Sequence, residues 1–307
     1  MRPIHLARQL SLDRSAFERT LQTRQREMAE LQEHLITGRK VNRASDDATA
    51  FAQARRLDVL SDRYEQYQRT ISGARLWVDE TQEGLNDLAD FFTNAYEDGV
   101  QARNDTLDDV DREALASSIE SVLAEVLDQL NEQTAGEYLF AGTRTDAPPF
   151  VQDFGPGSDG AGVTYNGNDA GRTRAIGPGL NLNIGISGAR VNDPGTGLTL
   201  AESLQELADA IRTGDDAQME TALENTITAR DYLIGLGAEA GTLANRLDQA
   251  DSQLGEATIN VAAQRSSLED ADLAETLLAI QQNETSLQAA LQTVASLQQQ
   301  TLLDYLR

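Results

Sequence analysis

The sequence predicts a mainly α fold: long helices forming a terminal antiparallel coiled coil and a helical bundle, with a small inserted β domain. Three observations predict it. Proline is confined, because five of the six prolines lie between Pro148 and Pro194 and none occurs in 4–147 or 195–307. A proline inside a helix costs about 3 kcal/mol, so two helical arms flank one turn-rich stretch. Glycine agrees, with twelve of 23 inside 151–200. The arms carry apolar residues spaced alternately by three and four, the narrow stripe of a helix that must pack on another helix.

In chain order, the first stripe is Leu10, Phe17, Leu21, Met28, Leu31 and Leu35, interrupted by Arg14 and Arg24. The pattern stops at Thr37-Gly38-Arg39-Lys40-Val41-Asn42. Gly38 reads as the residue just past a helix end, with Arg39 and Lys40 near the negative end of its dipole. Ser45 then reads as the N-cap of the next helix, with Asp46 and Asp47 in its positive first turn. A second stripe runs from Leu57 through Tyr64, Tyr67, Ile71, Ala74, Val78, Leu85 and Leu88 to Phe92. A third takes in Leu115, Ile119, Val122, Val126 and Leu130. Residues 142–194 read as the β insert. Val163-Thr164-Tyr165 before Asn166-Gly167 signals a hairpin with a type I′ turn, and Arg172–Ile176 and Leu180–Ile186 read as further strands. Leu243, Leu247, Leu254 and Val261 make a fourth stripe. The last holds Leu273, Leu277, Ile280, Leu287, Leu291 and Val294, interrupted by Glu284. These patterns divide the chain into a terminal coiled-coil domain (1–44 with 264–307), a helical bundle (45–141 with 195–263) and the insert (142–194).

Composition excludes several functions. With 50 acidic and 25 basic residues the net charge is −25, the wrong sign for neutralising phosphates or an anionic membrane surface. No nucleic acid and no membrane is expected as a partner. The N-terminal segment has no apolar core of a cleaved signal peptide. There is no cysteine and only two histidines, His5 and His34, so thiolate metal sites, disulfides and cysteine nucleophiles are out. Gly155-Pro156-Gly157-Ser158-Asp159-Gly160 matches a dinucleotide fingerprint in letters, but a proline sits inside it and turn residues follow, so it reads as a loop. No pocket pushing two carboxylate pKa values apart is implied. No catalytic residue, cofactor or metal is expected.

Charge is also distributed unevenly. Residues 1–44 carry nine basic and five acidic residues, whereas 264–307 carry two and six. An antiparallel pair of terminal helices meeting near 43 and 265 would be complementary. It sets Arg24 opposite Glu284, a polar pair suited to fixing register. The expected assembly interface is therefore Leu10, Phe17, Leu21, Arg24, Met28 and Leu31 with Leu277, Ile280, Glu284, Leu287, Leu291 and Val294. The expected inter-domain link is Gly38, Asn42, Ser45, Asp46 and Asp47.

Several motifs resemble the flagellin superfamily. Thr37 through Asp47 is similar to the segment linking the family's innermost and next domains. Leu268-Glu269-Asp270-Ala271-Asp272-Leu273-Ala274-Glu275, continuing through Glu284-Thr285-Ser286-Leu287-Gln288-Ala289, resembles its terminal helix. Gly136-Glu137-Tyr138-Leu139-Phe140-Ala141-Gly142-Thr143, with Ala147-Pro148-Pro149-Phe150 and Tyr165-Asn166-Gly167, is similar to the family's hook–filament junction branch rather than to its filament subunits. So is the ending Leu302-Leu303-Asp304-Tyr305-Leu306. The resemblance implies a structural, non-enzymatic subunit of the bacterial flagellum. Such a subunit is exported unfolded without a cleaved signal, with the help of an export chaperone. It would form a homo-oligomeric ring between the first hook-associated protein and flagellin. Filament flagellin and a coiled-coil secretion adaptor are the alternatives, and an adaptor leaves the insert unexplained.

Overall fold

The computed structural model describes residues 3–104, 107–152 and 160–305, with side chains described between 18 and 293. The Gly155–Gly160 loop lies largely outside the described residues. Among the described residues there are seven helices: α1 (Pro3–Thr37), α2 (Ala48–Ala102), α3 (Asp109–Leu130), α4 (Gly188–Val191), α5 (Leu200–Thr213), α6 (Asp216–Glu269) and α7 (Leu273–Tyr305). Six short strands join them: β1 (Gln133–Thr134), β2 (Glu137–Tyr138), β3 (Phe150–Gln152), β4 (Val163–Tyr165), β5 (Thr173–Gly177) and β6 (Leu180–Asn183). The chain is mainly α, as the proline distribution predicts.

Two compact units are present, 1–62 with 258–307 and 63–257. The second holds one large apolar core. Its α2 stripe supplies Ile71, Val78, Leu85, Leu88 and Phe92, α3 supplies Ile119, Val126 and Leu130, and α6 supplies Leu233, Leu247 and Leu254. Among the described residues the insert has no core of its own. Its Phe150, Val163, Ile176 and Ile184 join the same cluster as the helices, as does Phe140 just before it. Helix α5 also joins it, through Leu204, Leu207 and Ile211. It opens on a capping box, in which Thr199 accepts from the Glu202 backbone and Glu202 accepts from the Thr199 backbone. That T-x-x-E signal stands in the sequence before an apolar run and was open to reading.

The sheet is three separate antiparallel pairs, β1–β2, β3–β4 and β5–β6. Asn166-Gly167 does not turn a hairpin. It follows β4, whose partner β3 precedes it, and Gly167 is absent from the positive-φ glycines. A Cβ at Gly167 would lie 2.4 Å from the Tyr165 hydroxyl, so glycine serves close packing there. The turn between β1 and β2 has the positive φ at both centres that a type I′ turn needs, Ala135 at 53° and Gly136 at 83°.

Candidate assembly interface

Helix α1 ends where the sequence places its end. Gly38 adopts φ 71° and its amide donates to the His34 carbonyl at 2.8 Å, satisfying a last-turn acceptor. The next residues meet the start of α7. Arg39 and Asp270 form an isolated antiparallel bridge, the Ala271 amide donates to the Gly38 carbonyl at 2.9 Å, and Lys40 donates its amide to the Glu269 carbonyl at 2.6 Å. The only lysine also donates from Nζ to the Ser267 carbonyl at 3.0 Å. Val41 is buried there. The Glu269 side chain is buried as well, 3.5 Å from Arg39 and 3.9 Å from Arg265, so a buried carboxylate faces two guanidinium groups.

The cap of α2 differs from expectation. Asp47, not Ser45, is the N-cap: its Oδ1 accepts from the Thr49 and Ala50 amides at 2.8 and 2.9 Å. Asp46 closes the loop before it, accepting from the Asn42 and Arg43 amides at 2.9 and 2.8 Å. Those two donors, Arg43 first, hold its carboxyl below the ordinary value of 3.8. Ser45 only donates to Asp46 Oδ1. Three carboxylic or hydroxyl groups in a row can each cap, and the helix start selects the one directly before Ala48.

From this joint α1 and α7 run antiparallel, lining one groove of about 490 Å³ with Arg24, Glu27, Leu31 and His34 on one side and Ala279, Asn283 and Ser286 on the other. Leu21, Met28 and Leu31 are half-buried. Leu10, Phe17 and Val294 lie outside the described side chains. On α7, Thr276 and Asn283 are buried and Ile280 and Leu287 half-buried, whereas Leu277, Glu284 and Leu291 are exposed. The structure does not bring Arg24 and Glu284 together, since Arg24 Nη1 pairs with Glu27 at 3.2 Å. The leucine stripe is thus only partly used by α1. Leu273, Leu277, Leu278 and Leu291 remain 47–59 % exposed in the chain by itself. Sequence spacing sees the apolar line and misses the polar line beside it.

Among the described residues, no cluster of His, Asp and Glu able to hold a metal ion is found, and no helix is long and apolar enough to cross a membrane.

The comparisons with known proteins agree with this arrangement. The model of the bacterial flagellin N-terminal helical region matches residues 12–145, and that of the C-terminal helical region matches 222–306. The chain is 28 % identical over 290 residues to the flagellar hook-associated protein 3 of Escherichia coli K12, covering 87 % of this chain and 89 % of that one. Among solved structures, a flagellar hook-associated protein from Vibrio parahaemolyticus superposes with TM-score 0.67 at 19 % identity, over 73 % of this chain and all of that one. The flagellar junction protein FlgL from Legionella pneumophila superposes with TM-score 0.58 at 15 % identity, over 71 % of this chain and all of that one.

Proposed function

The chain belongs to the bacterial flagellin family, and from that premise we propose that it is the axial subunit joining hook to filament. One observation carries the reading. The match to the hook-associated relative runs nearly end to end in both chains, so it includes the insert as well as the helical regions common to the family. Exposed leucines on α7 support it from the structural side, because a helix that leaves an apolar stripe uncovered has a surface suited to packing on other subunits.

In this reading 1–44 with 264–307 is the assembly domain, 45–141 with 195–263 the helical bundle and 142–194 the insert. The assembly interface comprises Leu10, Phe17, Leu21, Arg24, Met28 and Leu31 with Leu277, Ile280, Glu284, Leu287, Leu291 and Val294. The subunits form a ring by helix packing, above the first hook-associated protein and below flagellin. An export chaperone delivers the chain through the flagellar export apparatus without a cleaved signal. The role is structural, with no substrate.

Deleting the gene tests this reading. Cells lacking the chain should retain hooks, carry no filaments and release flagellin into the medium. Cells that make neither filaments nor extracellular flagellin would identify the chain as the filament subunit instead, and normal filaments would remove it from the axial structure.

A further inference from the structure

Among the described residues, the first unit buries three polar side chains, Glu269, Thr276 and Asn283. Glu269 closes α6, and Thr276 and Asn283 stand seven residues apart on α7, the repeat that keeps two positions on one line facing a partner helix. Two of the three are satisfied. Glu269 faces Arg39 and Arg265, and the Thr276 hydroxyl donates to the Asp272 carbonyl at 2.7 Å. Asn283, only 6 % exposed, has a buried Oδ1 with no hydrogen-bond partner. This oxygen only accepts, so it requires a donor. The groove it lines is also lined by Arg24, Glu27, Glu30 and His34 of α1. Arg24 carries five N–H donors and uses one of them on Glu27.

We propose that Asn283 and Arg24 form the polar layer that sets the register of the α1–α7 pair, with Arg24 bridging the Glu27 carboxylate and Asn283 Oδ1. A slip of one heptad along α1 would put Phe17 or Leu31 in the place of Arg24, and neither can donate. The buried oxygen then finds its donor in one register and loses it in the neighbouring ones. A single buried amide in a helix seam is the best-attested way to specify alignment at some expense in stability. Glu284, one residue further and exposed, can offer Arg24 only a solvated pair. The inference concerns how the chain pairs its own termini, and it stands whether or not the flagellar reading holds.

The absence of cysteine makes disulfide trapping unambiguous. Leu31→Cys with Ala279→Cys reports the observed register, and Leu31→Cys with Ser286→Cys reports a slip of one heptad. In the otherwise unchanged full-length chain, free and attached to hooks, the first pair should trap at least about tenfold more than the second. Asn283→Leu should lower that ratio by about tenfold, Arg24→Leu should do the same, and the double variant should add nothing further. Should Asn283→Leu fail to fold, Arg24→Leu alters an exposed side chain and carries the same test. An unchanged ratio in these variants overturns the proposal, as does equal trapping of the two pairs in the unaltered chain. Failure of the first pair to trap in either setting also overturns it.

Discussion

Arg172 ties the insert to the helices of the second unit. Its guanidinium lies 3.9 Å above the ring centroid of Trp77 on α2, and it forms an ion pair with Glu137 on β2. Guanidinium on indole is among the stronger cation–π contacts once water is excluded, and Trp77 is buried. Arg172→Ala should therefore cost the second unit about 2 kcal/mol. Trp77 is the only tryptophan, so urea unfolding followed by its emission reads the loss directly; an unchanged midpoint would mean the stack contributes nothing. Glu132 works the other way. Burial first, and then Glu80, Asp87 and Glu83, raise its carboxyl above the ordinary 4.5. A raised acid binds its proton more tightly when folded, so its charged form weakens the fold at neutral pH and the penalty fades as pH falls through the raised value. Glu132→Gln should stabilise the second unit by about 0.5 kcal/mol at pH 7, the carboxylate being partly solvated. Melting at pH 7 and pH 4 checks this: the gain should shrink at the lower pH, and an equal gain at both would contradict the assignment. Neither residue was legible in the sequence, because both act through neighbours brought from distant segments.

Helices were more legible than turns. The α2 stripe from Ile71 to Phe92 is buried as its spacing predicts, as are Ile119, Val126 and Leu130 of the α3 stripe, with Val122 half-buried, because a helix in a bundle core must show its apolar residues at that period. Asn166-Gly167 misled because turn propensity is local, whereas β4 pairs backward with β3. On α7 the spacing marks the leucines, yet the line toward α1 holds Thr276 and Asn283. Periodicity reveals an apolar face but not which partner covers it, and a helix with two working faces shows only the greasier one. Two predictions belong to this scale. Thr199→Ala removes the capping box of α5 and should lower the stability of the second unit by about 1 kcal/mol. Chemical denaturation checks it, and no loss would mean that α5 is held by packing alone. Leu291→Asp places a charge on a half-exposed position of α7. It should leave the melting of the second unit unchanged while blocking filament growth, because an unpaired polar group buried in every subunit contact costs about 2 kcal/mol or more per copy. A lowered melting temperature with normal filaments would reverse the assignment.

At the scale of the whole chain the two units differ in what holds them. In the second, a continuous apolar cluster spans helices and insert alike. In the first, the buried apolar side chains among the described residues are Val41, Ala54 and Val261. Ordering a residue costs about 1–2 kcal/mol of chain entropy, and three small or medium side chains offset little of it. The terminal segments should accordingly yield first to trypsin, at Arg19, Arg24 and Arg26, leaving a resistant fragment that contains 63–257; equal protection of both units would contradict this. Such an imbalance suits a subunit stabilised by its neighbours, and in the proposed assembly the leucines left exposed on α7 would gain their burial from neighbouring copies. An axial subunit at the junction must sit at one place along the flagellum. Gold labelling of an epitope placed in the insert, viewed by electron microscopy on purified hook–basal bodies, measures that position. A single band of label at the distal end of the hook is the predicted result. Label distributed along filaments, or none on the axial structure, would contradict it.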